Sequence, residues 1–450
     1  MVGSERSPTR SRLPPTVWKV LLAGLIIREA FSFWTGHLYD FEAWVRTGFL
    51  VAQGQNPYVT PGSPVPGVSF AFLTQNLVTE AYLPFWPVLL GELYRLWMVV
   101  GGGNRFVLYF LLKQPGICAD VATAFLLYRL AGRWTGAEAP ALALLAFWSF
   151  FPYAIIITAI WGQFDSIVVA IMLGLLYARE SLERNVLNGL GILVKWVTAI
   201  FLPLEIFRER GWRRLSFLVA LAVPLVLTVA LFRVEGWSLQ VVPGTAISQT
   251  AGDGLGMNFV NALTVGPVLA VLDHVPVFYL VAQRLWIPGV ILAGWGAAKW
   301  IGRGDRQSEL RAMLLVLTVF LLIRWGLYEQ YFLYLFGLLA LDVAVFRPER
   351  RGLLVFTYAI AMVYLLIDTD LGLLFLGPVS PWLGTFVYEA NLNAPWAVAR
   401  TAALLALALV MTATLLQLVW VFWRDVARPR PWLYLVGDRL RFLVWRSPAP

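Results

Sequence analysis

The sequence predicts an all-α, multi-pass membrane protein with about ten to thirteen transmembrane helices and large outer loops. Three observations predict this. The 450 residues are 59% hydrophobic and only 14% charged, with mean hydropathy +0.72, far from the roughly 25% charged content of soluble domains. The apolar residues gather into runs near 17–36, 84–100, 106–130, 139–160, 164–179, 187–206, 214–233, 277–300, 311–328, 331–346, 352–367 and 398–423, each approaching the ~20 residues that cross about 30 Å of hydrocarbon. The arginines cluster in "RSPTRSR", "RERGWRR", "RPERR" and "RDVARPRPW", short segments beside those runs, as cytoplasmic loops require. The net charge of +9 therefore reflects membrane orientation and not nucleic-acid binding.

The chain divides accordingly. Residues 1–16 form a basic cytoplasmic tail and 17–233 a first transmembrane module that includes an outer loop at 37–83. A second large outer loop follows at 234–276, then a second transmembrane module at 277–423 and a basic cytoplasmic tail at 424–450. No small-residue cleavage site follows the first run, so it stays as an anchor and not as a removed signal peptide.

With the basic tail inside, "HLYDFEAWVRTGFLVAQGQNPY" (37–58) falls outside the membrane. Phe41, Trp44, Val45, Phe49 and Ala52 recur at helical spacing, which predicts an amphipathic helix lying on the outer membrane surface. "GQNPY" stops it, "VTPGSPVPG" continues as irregular loop, and "AYLPFWPVLL" enters the next span. A connection of this length is usually functional.

Glu92 and Arg95 lie in the second run, and Lys113 and Asp120 in the third. The last two are seven residues apart, on one helix face, and fit interhelical pairs. Basic loops at 129–134 and 208–214 both prefer the cytoplasm, which the intervening runs cannot satisfy if each is a full span. At least one run between 106 and 206 is thus a broken or re-entrant hairpin, tolerated where its backbone is buried in protein. After 214–233 the order is regular, with "GRGDRQSELR" inside, "YEQY" outside, "RPERR" inside and "DTDLG" outside.

One cysteine, Cys118, excludes a disulfide framework, and two histidines, His37 and His274, argue against a His-rich metal site. The chemistry rests on carboxylates, amides and cations. Ionisable groups within apolar runs cost several kcal/mol to insert and mark functional candidates: Arg28 and Glu29, Asp165 in "WGQFDS", Lys195 in "LVKW", Arg324 in "LIRW" and Glu329 in "YEQYF".

The order of these features resembles the GT-C superfamily of integral-membrane glycosyltransferases, and in particular the PIG-M-like, polyprenyl-phosphate-sugar-dependent mannosyltransferases. The residues that carry the resemblance are an acid after the first span, "GQNPY", "YLPFWPVLL", "WGQFDS", an intramembrane lysine, a long loop with "MNFVNALTV" and "YEQYFLYLFGLLAL", together spanning roughly 15–345. The resemblance implies a catalytic acid at Asp40, with Glu42 in the second place where that group tends to carry Asp-x-Asp. That departure weakens any metal site, so no cofactor is required and a divalent metal is optional. It also implies substrate-binding roles for Tyr58, Tyr82, Gln163, Asp165, Glu329, Gln330 and Tyr331.

Elementary chemistry agrees. Transfer from a lipid phosphate needs a base for the acceptor hydroxyl and cations for the departing phosphate, the latter met by Arg28, Lys195 and Arg324. The expected partners are the bilayer, a polyprenyl- or dolichyl-phosphate sugar, and a glycolipid, oligosaccharide or protein acceptor. The expected location is a prokaryotic cell membrane, or the endoplasmic reticulum membrane in a eukaryote. A transporter or flippase of a lipid-linked sugar or amphipathic solute is the competing reading, since carriers also hold buried charges on broken helices. The sequence shows no internal repeat in its halves, and its acid-bearing outer helix favours chemistry at the outer face.

Overall fold

A computed structural model describes residues 13–70, 77, 82–241, 284–299, 301, 305–324 and 328–427. Among them are sixteen α-helices, and the one β-type pairing is an isolated bridge between Gly62 and Leu77. The tail at 1–12, most of the second loop (with "MNFVNALTV") and the tail from 428 onward lie outside the described residues.

The helices are α1 (Pro15–Ser32), α2 (Asp40–Ala52), α3 (Phe85–Val100), α4 (Arg105–Thr135), α5 (Glu138–Ser149), α6 (Pro152–Ile155), α7 (Asp165–Tyr177) and α8 (Ser181–Val194). They continue with α9 (Leu202–Arg208), α10 (Phe217–Val234), α11 (Trp286–Ala298), α12 (Arg306–Ile323), α13 (Phe332–Val345), α14 (Arg351–Asp368), α15 (Pro381–Leu392) and α16 (Ala394–Ala427).

Among the described residues four helical segments are long and apolar enough to cross a membrane: Arg105–Thr135, Gly211–Val234, Pro348–Asp368 and Pro395–Val426. A fifth span forms if Glu138–Ser149 and Pro152–Trp161, bent by 41° at their junction, are taken together. Apolar runs in the sequence are more numerous than long straight helices because several are interrupted or charged. α1 carries Lys19, Arg28 and Glu29 within 18 residues, and the run at 187–206 breaks at Lys195 into a 3₁₀ turn, Trp196–Phe201.

The break expected between 106 and 206 lies at Phe150–Pro152. The residue before a proline is pushed out of the helical region, and Phe151 is extended (φ −70°, ψ 110°) ahead of Pro152. The chain resumes as α6, loosens into a π-helical turn at Ile156–Trp161 and reverses at Gly162 (φ +95°) before α7. Interruptions of this kind concentrate at functional sites.

The core lies around α12 and α13. Every residue from Phe332 to Val343 is buried, as expected of a helix apolar all round, and α13 packs on α4, α5, α7, α12 and α14. Buried charges tie these layers together. Asp120 accepts from Arg28 Nε (2.6 Å), Trp148 Nε1 (2.7 Å), Ser166 Oγ (2.8 Å) and Thr158 Oγ1 (3.1 Å), joining α1, α4, α5, the π turn and α7. Lys113 does not pair with Asp120, its neighbour two turns on. Its Nζ donates to the carbonyls of Thr35 (2.6 Å) and Ala159 (2.9 Å), satisfying backbone acceptors left open by the end of α1 and by the π turn.

At the other end of the bundle Arg184 pairs with both Glu205 and Glu309, and Glu309 also receives Arg208 and Arg306, each at 2.9 Å.

Candidate active site

α2 forms where helical spacing predicts it, but its apolar face does not rest on lipid. Phe41, Trp44 and Val45 are buried, and the helix packs on α3. The loop that follows folds back over it. Glu42, fully buried, accepts from Arg46 Nε (2.7 Å) and the backbone N–H of Phe70 (3.1 Å), while Arg46 Nη1 donates to Gly62 O (2.9 Å). The helix needs partners of its own because its buried face includes this ion pair.

Asp40 and Glu42 therefore have opposite surroundings. Burial pushes the Glu42 carboxyl above the ordinary range, against the pull of Ser69, Arg46 and Phe70, and its oxygens are committed to holding the loop. Asp40 keeps 37% of its side-chain surface exposed. Its Oδ2 accepts from Gln163 Nε2 (2.7 Å) and Trp161 Nε1 (3.0 Å). Among the described residues Oδ1 receives no hydrogen bond.

Those two donors belong to the "WGQFDS" corner. The reversal at Gly162 requires glycine: at φ +95° a Cβ would stand 2.5 Å from the Phe41 ring. Gly116 of α4 admits the corner, since a Cβ there would lie 2.9 Å from Gln163 O. Asp165, two residues past Gln163, does not reach the open side. It is buried, with Oδ1 held by Lys195 Nζ (2.9 Å) and by the Tyr334 hydroxyl.

Lys195 and Arg324 meet over one ring. Lys195 Nζ lies 4.6 Å from the centroid of Tyr331, 5.4 Å from Phe164 and 5.6 Å from Tyr82. The Arg324 guanidinium lies 5.8 Å from Tyr331 and 4.3 Å from Trp196. Tyr82 in turn packs 5.7 Å from Trp44 of α2, so the cations and the Asp40 helix share an aromatic wall. Tyr58 stands behind it, donating to Tyr82 O (2.7 Å) and packing on Phe232 and Trp237.

Arg28 has to be removed from the phosphate-binding set. Beyond its bond to Asp120 it donates to Gly24 O (2.9 Å), Ser149 O (2.7 Å) and Trp148 O (3.2 Å), and at 1% exposure it is enclosed by these partners and away from the open side. Glu329 and Gln330 are buried beneath Tyr331. The Glu329 carboxyl stands beside that of Asp368, and Glu329 O accepts from the Tyr153 hydroxyl (2.7 Å). Asp368 is held by Arg400 Nη2 (2.6 Å).

Three residues of this region were not singled out by sequence reasoning. Trp161 and Asp368 gave no signal beyond their neighbours in "WGQFDS" and "DTDLG". His37 did give one: it stands two and three positions before the first amides of α2, as a capping residue does. Its ring stacks on Trp161 (4.5 Å, 12°).

An apolar cavity of about 240 Å³ adjoins the cluster, lined by Phe31, Trp34, Ile160, Leu365 and Phe375 among others. The Phe375 ring is 5.6 Å from Trp161. Among the described residues no group of three or more His, Cys, Asp or Glu side chains is arranged to hold a metal ion.

Comparison with known proteins bears on the same region. No curated protein matches the chain. Among solved structures it is similar to the crystal structure of ArnT from Cupriavidus metallidurans bound to undecaprenyl phosphate, with 14% identity over 92% of this chain and 78% of that one and a TM-score of 0.47. Residues 116–324 match glycosyltransferase family 87, a stretch that holds Trp161, Gln163, Asp165, Lys195 and Arg324; Tyr331 falls shortly after it and Asp40 well before it. The likeness to glycosyltransferase family 87 is confined to residues 116–324, which include the corner and both cations of this region.

Proposed function

We propose that this protein transfers mannose from a polyprenyl- or dolichyl-phosphate carrier to a hydroxyl of a glycolipid, oligosaccharide or protein at the outer or luminal face, with Asp40 as general base. The observation that carries the reading is the Asp40 carboxylate, partly exposed, anchored through Oδ2 alone and open at Oδ1.

An acceptor hydroxyl placed at Oδ1 gives its proton to the carboxylate as its oxygen attacks the anomeric carbon. The bond from that carbon to the phosphate oxygen breaks, and the carrier leaves as a phosphate monoester with one more negative charge than the donor had. Lys195 and Arg324 supply cations where that charge develops. Asp165 offsets one of them in the resting site, so the pair is matched to a singly charged donor and gains most as the second charge appears. The low-dielectric aromatic wall strengthens both interactions. The adjoining apolar cavity suits a lipid chain arriving from the bilayer.

In this reading a divalent ion is optional, because the two side-chain cations meet the phosphate. The choice of mannose rests on resemblance to the PIG-M-like group.

The test incubates purified protein in detergent with radiolabelled polyprenyl-phosphate-mannose and a panel of membrane lipids. Label should pass to an acceptor in an Asp40-dependent manner. Movement of the labelled lipid across proteoliposomes with no covalent transfer would favour a carrier instead.

A further inference from the structure

The Asp40 carboxylate is only as well placed as the first turn of α2, and that turn begins on a side chain. α2 has no oxygen-bearing cap: its N-cap position is Tyr39, which makes no side-chain capping bond. The first free amides are met by His37. Nδ1 of its ring accepts the backbone N–H of Tyr39 (3.3 Å) and of Asp40 (3.2 Å), and its carbonyl accepts from Phe41 N (3.2 Å). Both donors are peptide N–H groups, so Nδ1 must be unprotonated and the ring proton of neutral His37 sits on Nε2.

The same residue also holds one of the two groups that aim the carboxylate. His37 N donates to Trp161 O (3.1 Å), and the imidazole lies flat on the Trp161 indole whose Nε1 donates to Asp40 Oδ2. The imidazole itself stops 3.9 Å from Asp40 Oδ2, beyond a hydrogen bond. It acts on Asp40 through the backbone and through Trp161.

Resting on the reading of Asp40 as general base, we propose that His37 is the positioning residue of this site, a neutral imidazole N-cap that fixes the carboxylate against the acceptor and that fails when its Nδ1 is protonated. A protonated Nδ1 becomes a donor facing two donors and releases the turn. The charged groups that face His37 are Asp40 on its own turn and Asp368 at the end of α14, the latter beside Glu329 and bound by Arg400. Burial holds His37 below its ordinary value, with those two carboxylates pulling it back up. The site therefore keeps its cap through neutral pH and loses it on the acid side of 6.5.

Asparagine is a strong N-cap whose side-chain oxygen accepts the same kind of amide pair and does not titrate, so His37→Asn separates capping from structural bulk. His37→Ala should lower kcat by about 10–100-fold, the scale of a misplaced catalytic group, with donor KM within twofold. His37→Asn should recover most of that loss. It should also flatten the acid limb expected of the wild-type kcat–pH profile.

Wild-type kcat in His37→Ala would overturn the proposal, and so would a His37→Asn enzyme no better than the alanine variant. If His37→Ala does not fold, His37→Asn decides alone: near-normal kcat supports the cap and a collapsed kcat refutes it. Asp40→Asn, measured in parallel, separates the two levels, because an active Asp40→Asn enzyme removes the base itself whatever His37 does.

Discussion

Asp40→Asn removes one charge and almost no volume, and the structure says how the new amide must sit. Both neighbours of Oδ2, Trp161 Nε1 at 3.0 Å and Gln163 Nε2 at 2.7 Å, are donors. The asparagine oxygen has to turn toward them, which leaves its NH₂ on the open side where the acceptor hydroxyl is expected. The substitution thus exchanges a base for a donor at the one atom that takes the proton. A positioned general base contributes about 10²–10⁴-fold, or about 2.7–5.4 kcal/mol at 1.36 kcal/mol per decade.

Folding should be nearly untouched, since both hydrogen bonds survive and the side chain is partly exposed. The assay is label transfer from polyprenyl-phosphate-mannose at saturating donor, with donor KM and thermal unfolding in detergent measured on the same preparation. A kcat loss of at least a hundredfold with unchanged melting is the expected result. Transfer within a few-fold of wild type would refute the assignment, and a comparable loss in Glu42→Gln without loss of stability would move the base to Glu42.

Three further outcomes test other parts of the site. Lys195→Met made together with Asp165→Asn, so that no buried carboxylate is stranded, and Arg324→Met alone, should each raise donor KM or lower kcat by about 10–150-fold, the ~1.5–3 kcal/mol of one charge-assisted bond. Unchanged kinetics in both would return these cations to a structural role. Gly162→Ala should lower the melting temperature and activity together, because φ +95° and the Phe41 ring leave no room for a Cβ, and a left-handed non-glycine residue alone costs about 1–3 kcal/mol; a fully active, fully stable variant would show that the corner is not held this way. In a background with exposed Cys118 replaced, cysteine at Gln55 should react with an impermeant outside reagent and cysteine at Arg213 should not, and the reverse pattern would invert the proposed orientation.

Much of the fold was legible in the chain itself. Composition and the length of the apolar runs decided that the protein lives in a bilayer, because no soluble fold can hide that much apolar surface. The period of Phe41, Trp44 and Val45 marked α2, and the conflict between two basic loops required a break that the structure places at Phe150–Pro152. The exposed acid after the first run, the "WGQFDS" corner and the two cations Lys195 and Arg324 were all visible as residues of the right chemistry in a family-like order.

What pattern could not supply was pairing. Asp40 and Glu42 are two residues apart, and only the fold shows that one faces the open side while the other is consumed by Arg46 and the returning loop. Lys113 and Asp120 share a helix face, yet their partners come from α1 and the turn after it, α5, the π turn and α7. Arg28 carries as much charge as Lys195 but is buried against Asp120 and three carbonyls. His37, read only as one of two histidines too few for a metal site, caps the helix that carries Asp40. The physical reason is common to all four. Composition and period report how a residue relates to water and lipid, and this local preference determined where the elements lie. Which charge a buried charge meets depends on contacts between residues such as 28 and 120, or 40 and 163, and only the tertiary structure brings those together.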